Sequence, residues 1–256
     1  MPVQYNSTSA KYAAALLLGF VACSAQATGV TTFANTTVEH LQSSTLSAWE
    51  ASSAGFYGLQ LDKSTQVGLQ LNHYRRYGLD ENNVQARVDW RAAPRGQAWT
   101  LKATVGGNAY LPLWSTALAL HENLPGERVL NIGAGLTSYD TQKVYPLDVS
   151  VDQTWRADTF TAGSSAYVAP GLPTALNAWG QWFHDFGDNR LFQIRLGWGD
   201  SQDALPSGEL VRYSAAFGFA HYRQPLSHHW FVDVYLGHAG GEDARNSLTI
   251  MVNHVD

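Results

Sequence analysis

Eight charged side chains of the 256-residue chain fall where strand parity would turn them to one face: Arg87, Asp89, Arg91, Asp152, Arg156, Arg195, Arg212 and Asp233. Charges of both signs in a confined space allow two chemistries. They can line a pore and orient a polar solute, or they can form a mutually satisfied lattice that fills the space, because buried charges need partners. Arg87 and Arg195 are expected to be held by carboxylates, with Asp89 and Asp152 the candidates. Catalysis has less to work with. A hydrolase on a strand wall would place Ser two residues after His so that base and nucleophile share a face. None of the nine histidines has Ser at that spacing. His184-Asp185 borders an expected tight turn, and no nucleophile accompanies it. His228-His229 are adjacent, and neighbours on a strand point to opposite faces, so they cannot easily share a metal ion. Their place beside Trp230 suits an aromatic belt at an interface. The expectation is a protein that is not an enzyme and has no metal site or cofactor.

The elements that must carry these charges show a period of two. In 83–91, Val84, Ala86, Val88 and Trp90 oppose Gln85, Arg87, Asp89 and Arg91. In 191–199, Phe192, Ile194, Leu196 and Trp198 oppose Gln193, Arg195 and two glycines. In 230–238, Val232, Val234 and Leu236 oppose Asp233, Tyr235 and Gly237. In 210–222, Val211, Tyr213, Ala215, Phe217 and Phe219 oppose Arg212, Ser214, Ala216 and Gly218, which predicts that Phe217 and Phe219 lie on the apolar, lipid-directed face. A soluble sandwich with its apolar face inward shows the same alternation. Two features favour a membrane barrel. The polar face is rich in small residues, which suits a crowded lumen. The connections also alternate in length. The tight set is 62–64, 93–96, 124–127, 156–158, 186–189 and, less tight, 223–227. Between them lie mostly longer links at 77–82, 108–112, 140–146, 169–174, 200–209 and 239–246. The proline-bearing stretches 166–176 and 200–209 are the longest candidate outer loops. Short turns at one end and longer loops at the other are the habit of outer-membrane barrels. The count is about fourteen strands, each near the roughly ten residues that a tilted membrane strand needs.

Composition agrees. Charged residues are 14% of the chain and aromatics 12%, against roughly 25% charged in an average soluble domain. The net charge of −5 and the lack of a basic run exclude nucleic acid as a partner. At the N-terminus, Lys11, the apolar run Tyr12 to Cys23 and Ala25-Gln26-Ala27 read as a secretory signal, with cleavage expected after Ala27. A lipoprotein signal acylated on Cys23 is the competing reading, and Phe20 fits it poorly. The domain reading is therefore a signal peptide over 1–27 and one all-β, antiparallel transmembrane barrel over 28–256.

Short stretches carry a resemblance to a family. Leu46-Ser47-Ala48-Trp49 comes early, and Tyr74-Arg75-Arg76-Tyr77-Gly78 closes a strand. Leu124-Pro125-Gly126-Glu127 leads into Leu130 to Leu136, and Arg190 to Asp200 ends in Gly197-Trp198-Gly199-Asp200. Nearly end to end, the mature chain resembles the YaiO-like outer-membrane β-barrels. The resemblance implies an integral barrel of the bacterial outer membrane in contact with lipid, lipopolysaccharide and the barrel-assembly machinery. Some relatives sit beside envelope-polysaccharide machinery, so a channel or export part for polysaccharide is one implied role. A structural or surface-interaction barrel with a filled lumen is the other. The family usually ends on an aromatic residue, whereas this chain ends Asn253-His254-Val255-Asp256.

Overall fold

The computed structural model describes residues 30–41, 50–92, 97–107, 109–204, 210–241 and 244–255. The expected signal peptide, the stretch Leu46 to Trp49, residues 93–96 and 205–209 and the final Asp256 lie outside the described residues.

The fourteen strands are β1 (Thr31–Leu41), β2 (Glu50–Gln60), β3 (Thr65–Arg76), β4 (Leu79–Ala92), β5 (Gln97–Val105), β6 (Trp114–Leu124) and β7 (Arg128–Ser138), followed by β8 (Lys143–Trp155), β9 (Asp158–Val168), β10 (Ala175–Gly187), β11 (Arg190–Ala204), β12 (Leu210–Pro225), β13 (Trp230–Ala239) and β14 (Arg245–Val255). Each pairs antiparallel with its sequence neighbours, and β1 pairs with β14, so the sheet closes into a single barrel. Closure leaves no unpaired strand edge. An even strand count puts both ends of the barrel chain at one rim, the terminal rim, together with the tight turns.

Those turns follow local chemistry. At the turn between β2 and β3, Asp62 accepts bonds from the Ser64 N–H (2.7 Å) and hydroxyl (2.8 Å). These bonds hold its carboxyl below the usual carboxylate range. Between β10 and β11, Asp188 and Asn189 both take positive φ, 53° and 61°, the backbone that a two-residue hairpin needs. The opposite rim is tighter than its sequence suggests. The expected loop over 77–82 is only Tyr77-Gly78, with φ of 55° and 73°, and β4 begins at Leu79. β11 continues to Ala204, so the 200–209 loop is shorter as well.

The barrel is inverted relative to a soluble protein. Its largest fully buried side chains include Arg76, Asp233 and Asn253. Its outer wall exposes Trp198 (69%), Leu196 (62%) and Leu236 (57%). A soluble sandwich does the reverse, and so wide an apolar surface calls for an apolar surrounding. The inner face is identified by cavities that bring distant strands together. Lys102 on β5 and Arg223 on β12 line one space, and Arg87 on β4 and Trp179 on β10 line another. Strands so far apart around the sheet meet only across a lumen. Aromatic side chains gather near the terminal rim of the outer wall, where Trp90 and Trp99 stack at 6.2 Å, and Trp182 sits edge-on to Phe192 at 5.9 Å.

One strand reverses the sequence expectation. On β12 the odd residues face inward, so Phe217 and Phe219 are lumenal. The same parity carries His221 and Arg223, which both bond Asp233 inside the barrel. It also lays the Phe217 ring against Gly197, where an added Cβ would come within 2.3 Å of the ring. Buried polar partners and a glycine floor outweigh the apolarity of two phenylalanines. The small even residues Ala216, Gly218 and Ala220 are left as a shallow outer groove between Leu196 and Leu236.

Candidate functional site

The candidate site is the lumen. Strand register turns Arg87, Asp89, Arg91, Asp152, Arg195 and Asp233 inward. Two of the eight expected residues are elsewhere. Arg156 sits in the turn between β8 and β9 with φ of 56°, its guanidinium 5.2 Å from the Trp155 ring. Arg212 has the outward parity of β12 and pairs with Asp200 on the outer wall, where Ser214 also bonds that carboxylate. The reason in the first case is turn geometry and in the second the reversal of β12.

A hydrogen-bonded belt runs around the inner wall. Arg87 donates to Asp89 through Nε (2.6 Å) and Nη2 (2.8 Å). Thr100 donates to the same carboxylate at 2.5 Å, and its hydroxyl lies 3.3 Å from His121 Nε2. His121 Nδ1 is 2.6 Å from Asn131 Oδ1, and the Asn131 amide donates to Asp152 at 2.9 Å. Thr161 donates to the other Asp152 oxygen at 2.7 Å. A second arc joins β12 to β14. Asp233 receives His221 (2.6 Å), Arg223 (2.8 and 3.1 Å) and Asn253 (2.7 Å), and is fully buried. Charge-assisted, multiply bonded carboxylates of this kind fix the groups around them.

Arg195 is held differently from expectation, by no carboxylate among the described residues. It donates twice to Gln181 Oε1 (3.0 and 2.7 Å), and its guanidinium lies 4.0 Å from the Trp179 ring centre and 5.3 Å from that of Phe219. Cation–π contact and an amide replace the ion pair.

Among the described residues, spaces of about 350, 360 and 320 Å³ open off the lumen, and Arg87 lines all three. Their walls are strand residues, with Lys63 and Ser64 of the turn between β2 and β3 the exceptions. No described connection fills them. The Arg87 side chain is 46% exposed although it points inward from its strand, so a space wide enough for water lies beside it. At the opposite rim, Glu81 accepts the backbone N–H groups of Ala109 and Leu111 (2.8 Å to Leu111). This clamps the segment carrying the buried Tyr110. Burial, and then the charges of Glu81 and Asp80, push the Tyr110 phenol well above its ordinary range.

Lys102, Asp148, His121, Trp179 and Arg223 all shape the lumen, and none was among the candidates read from the sequence. Lys102 and Asp148 had a signal: each follows the alternation of its strand, Lys102 between Leu101 and Ala103, Asp148 between Leu147 and Val149. Arg223 was assigned to a turn that begins only at Leu226.

Comparison with known proteins follows the fold. No protein-family model and no characterised protein sequence matches the chain. Solved structures do. A bacterial polysaccharide outer membrane secretin superposes with a TM-score of 0.55 at 6% identity, covering 90% of this chain and 98% of that one. Omp33 of Acinetobacter baumannii gives 0.53 at 7%, covering 90% and 98%. The KdgM porin bound to disordered oligogalacturonate gives 0.50 at 8%, covering 88% and 99%. At these identities the likeness is one of fold: a closed outer-membrane-type barrel. Among the described residues no group of three or more His, Cys, Asp and Glu could hold a metal ion.

Proposed function

We propose that this chain is an integral outer-membrane protein of the bacterial envelope, a YaiO-like barrel whose lumen is a narrow water-filled channel for small polar solutes. The observation that carries the reading is the solvent-exposed Arg87 side chain at mid-lumen, where three spaces meet and no described loop intrudes. The apolar outer wall supports insertion in lipid, and the aromatic residues near the terminal rim support anchoring at an interface. Lipid and lipopolysaccharide are then its surroundings, and the barrel-assembly machinery its route of insertion. A place in envelope-polysaccharide traffic is the finer role, supported by the family motifs.

Envelope fractionation with a carbonate wash tests the location: the protein is expected in the pellet, and recovery from the soluble periplasm contradicts it. Planar-bilayer recording of the refolded mature protein tests the channel, with discrete conductance steps expected. A second reading, a structural barrel with a filled lumen, is favoured by the belt from Arg87 to Thr161. A correctly folded protein that never conducts selects it.

A further inference from the structure

The 360 Å³ space differs from the rest of the lumen. Three cations line it, Arg87 from β4, Lys102 from β5 and Arg223 from β12, and no carboxylate does. Two of the three are aimed by acids that line no part of this space. Asp89 holds Arg87 and also takes Thr100. Asp233 holds Arg223 and also takes His221 and Asn253. Lys102 has no hydrogen bond or ion pair among the described residues, and its cross-strand partner in the register is Arg87. Like charges directly opposite on neighbouring strands are destabilising. Asp89, bonded to Arg87, offsets part of this repulsion, and an anion between the two side chains would relieve the rest. The remaining wall supplies two other kinds of contact. Gln70, Gln85 and Asn35 offer amides that can bond hydroxyl groups, and Tyr57 and Tyr235 offer aromatic rings, that of Tyr235 backed by a stack on His221.

We infer that this space is an anion station that takes a hydroxylated organic anion about the size of one sugar unit, its charge on Lys102 and Arg87 and its body against the amides and the two tyrosines. The inference rests on the channel reading and names the solute class of that channel. Neutral sugars lack the charge, and inorganic anions leave the amides and rings unused.

The test uses the mature, refolded protein in a planar bilayer under a KCl gradient, with glucuronate and glucose as probes that differ in the carboxylate. The reversal potential is expected to show anion preference. Glucuronate is expected to lower the KCl current in a concentration-dependent way, with glucose inert at the same concentration. Lys102→Gln should reduce the anion-to-cation permeability ratio by about threefold and Lys102→Glu by about tenfold. Cation preference in the unaltered protein, an unchanged ratio in both variants, or equal block by the two sugars overturns the station while leaving the channel standing. A silent bilayer overturns the channel instead. In that case calorimetric titration of glucuronate into the folded protein decides the station: heat that Lys102→Gln removes supports it, and no heat overturns it.

Discussion

Two spaces in the lumen share Arg87 and Lys102 and differ in what faces those cations. The side bounded by β1 to β3 and β12 to β14 offers amides, tyrosines and a third cation. The side bounded by β6 to β10 offers Asp148, small residues and the indole of Trp179. The carboxylates behind the first are locked. Asp233 is fully buried and takes bonds from His221, Arg223 and Asn253. Asp148 on the second is exposed, with neither a hydrogen bond nor an ion pair among the described residues. In one barrel, therefore, an acid can be scaffold or lining. Its residue type alone does not tell which.

The largest test of that contrast removes the acids one at a time. Asp233→Ala strands the buried His221 imidazole and the half-buried Arg223 guanidinium, and should cost about 3–5 kcal/mol of stability. Asp148→Ala should stay within about 0.5 kcal/mol, as surface changes usually do. Urea unfolding in detergent micelles measures both, and equal losses would erase the distinction. Next in size is the wall that encloses both spaces. Leu196→Arg on the outer face should cost about 2–4 kcal/mol in a bilayer, and Phe217→Arg on the inner face clearly less. The reverse order would return β12 to its sequence-based orientation.

A smaller effect is expected at Gly163, where an added Cβ would lie 2.5 Å from the Trp179 ring. Gly163→Ala must displace the indole, which lines the same space as Asp148, at about 1–3 kcal/mol for overpacking. It should narrow conductance, and an unaltered conductance together with unaltered stability speaks against the packing described. Last, Asp148→Asn should leave stability alone and raise the anion preference by about threefold, since it removes one lumenal negative charge. A fall in anion preference would mean that Asp148 serves to gather the permeating solute.

Sequence reasoning read the barrel from alternation, and it read best where charge reinforced hydropathy. On β4, Val84, Val88 and Trp90 oppose Arg87 and Asp89, and the two signals agree, so the facing was legible. On β12 they conflict. The phenylalanines argue outward, while His221 and Arg223 on the same parity find their partner inside, on another strand. Such a partner is set by register, which a single strand does not encode. The Tyr77-Gly78 hairpin was missed for a related reason: polar residues from Asp80 to Asn82 imitate a loop, yet Glu81 belongs to the inner wall. In an inside-out barrel, polarity marks the interior as readily as it marks a connection.

The closing seam has a consequence for how the molecule comes into being. Eleven residue pairs join β1 to β14, from Thr31 with Val255 to Leu41 with Arg245. Every other strand contact is between sequence neighbours and can form as the chain emerges. This one spans almost the whole polypeptide, so loop-closure entropy and contact order make it the slow step. Until it forms, two bare edges invite pairing with other chains. A chain interrupted before Arg245 therefore lacks this partner for β1, and β14 acts as the latch that seals the sheet.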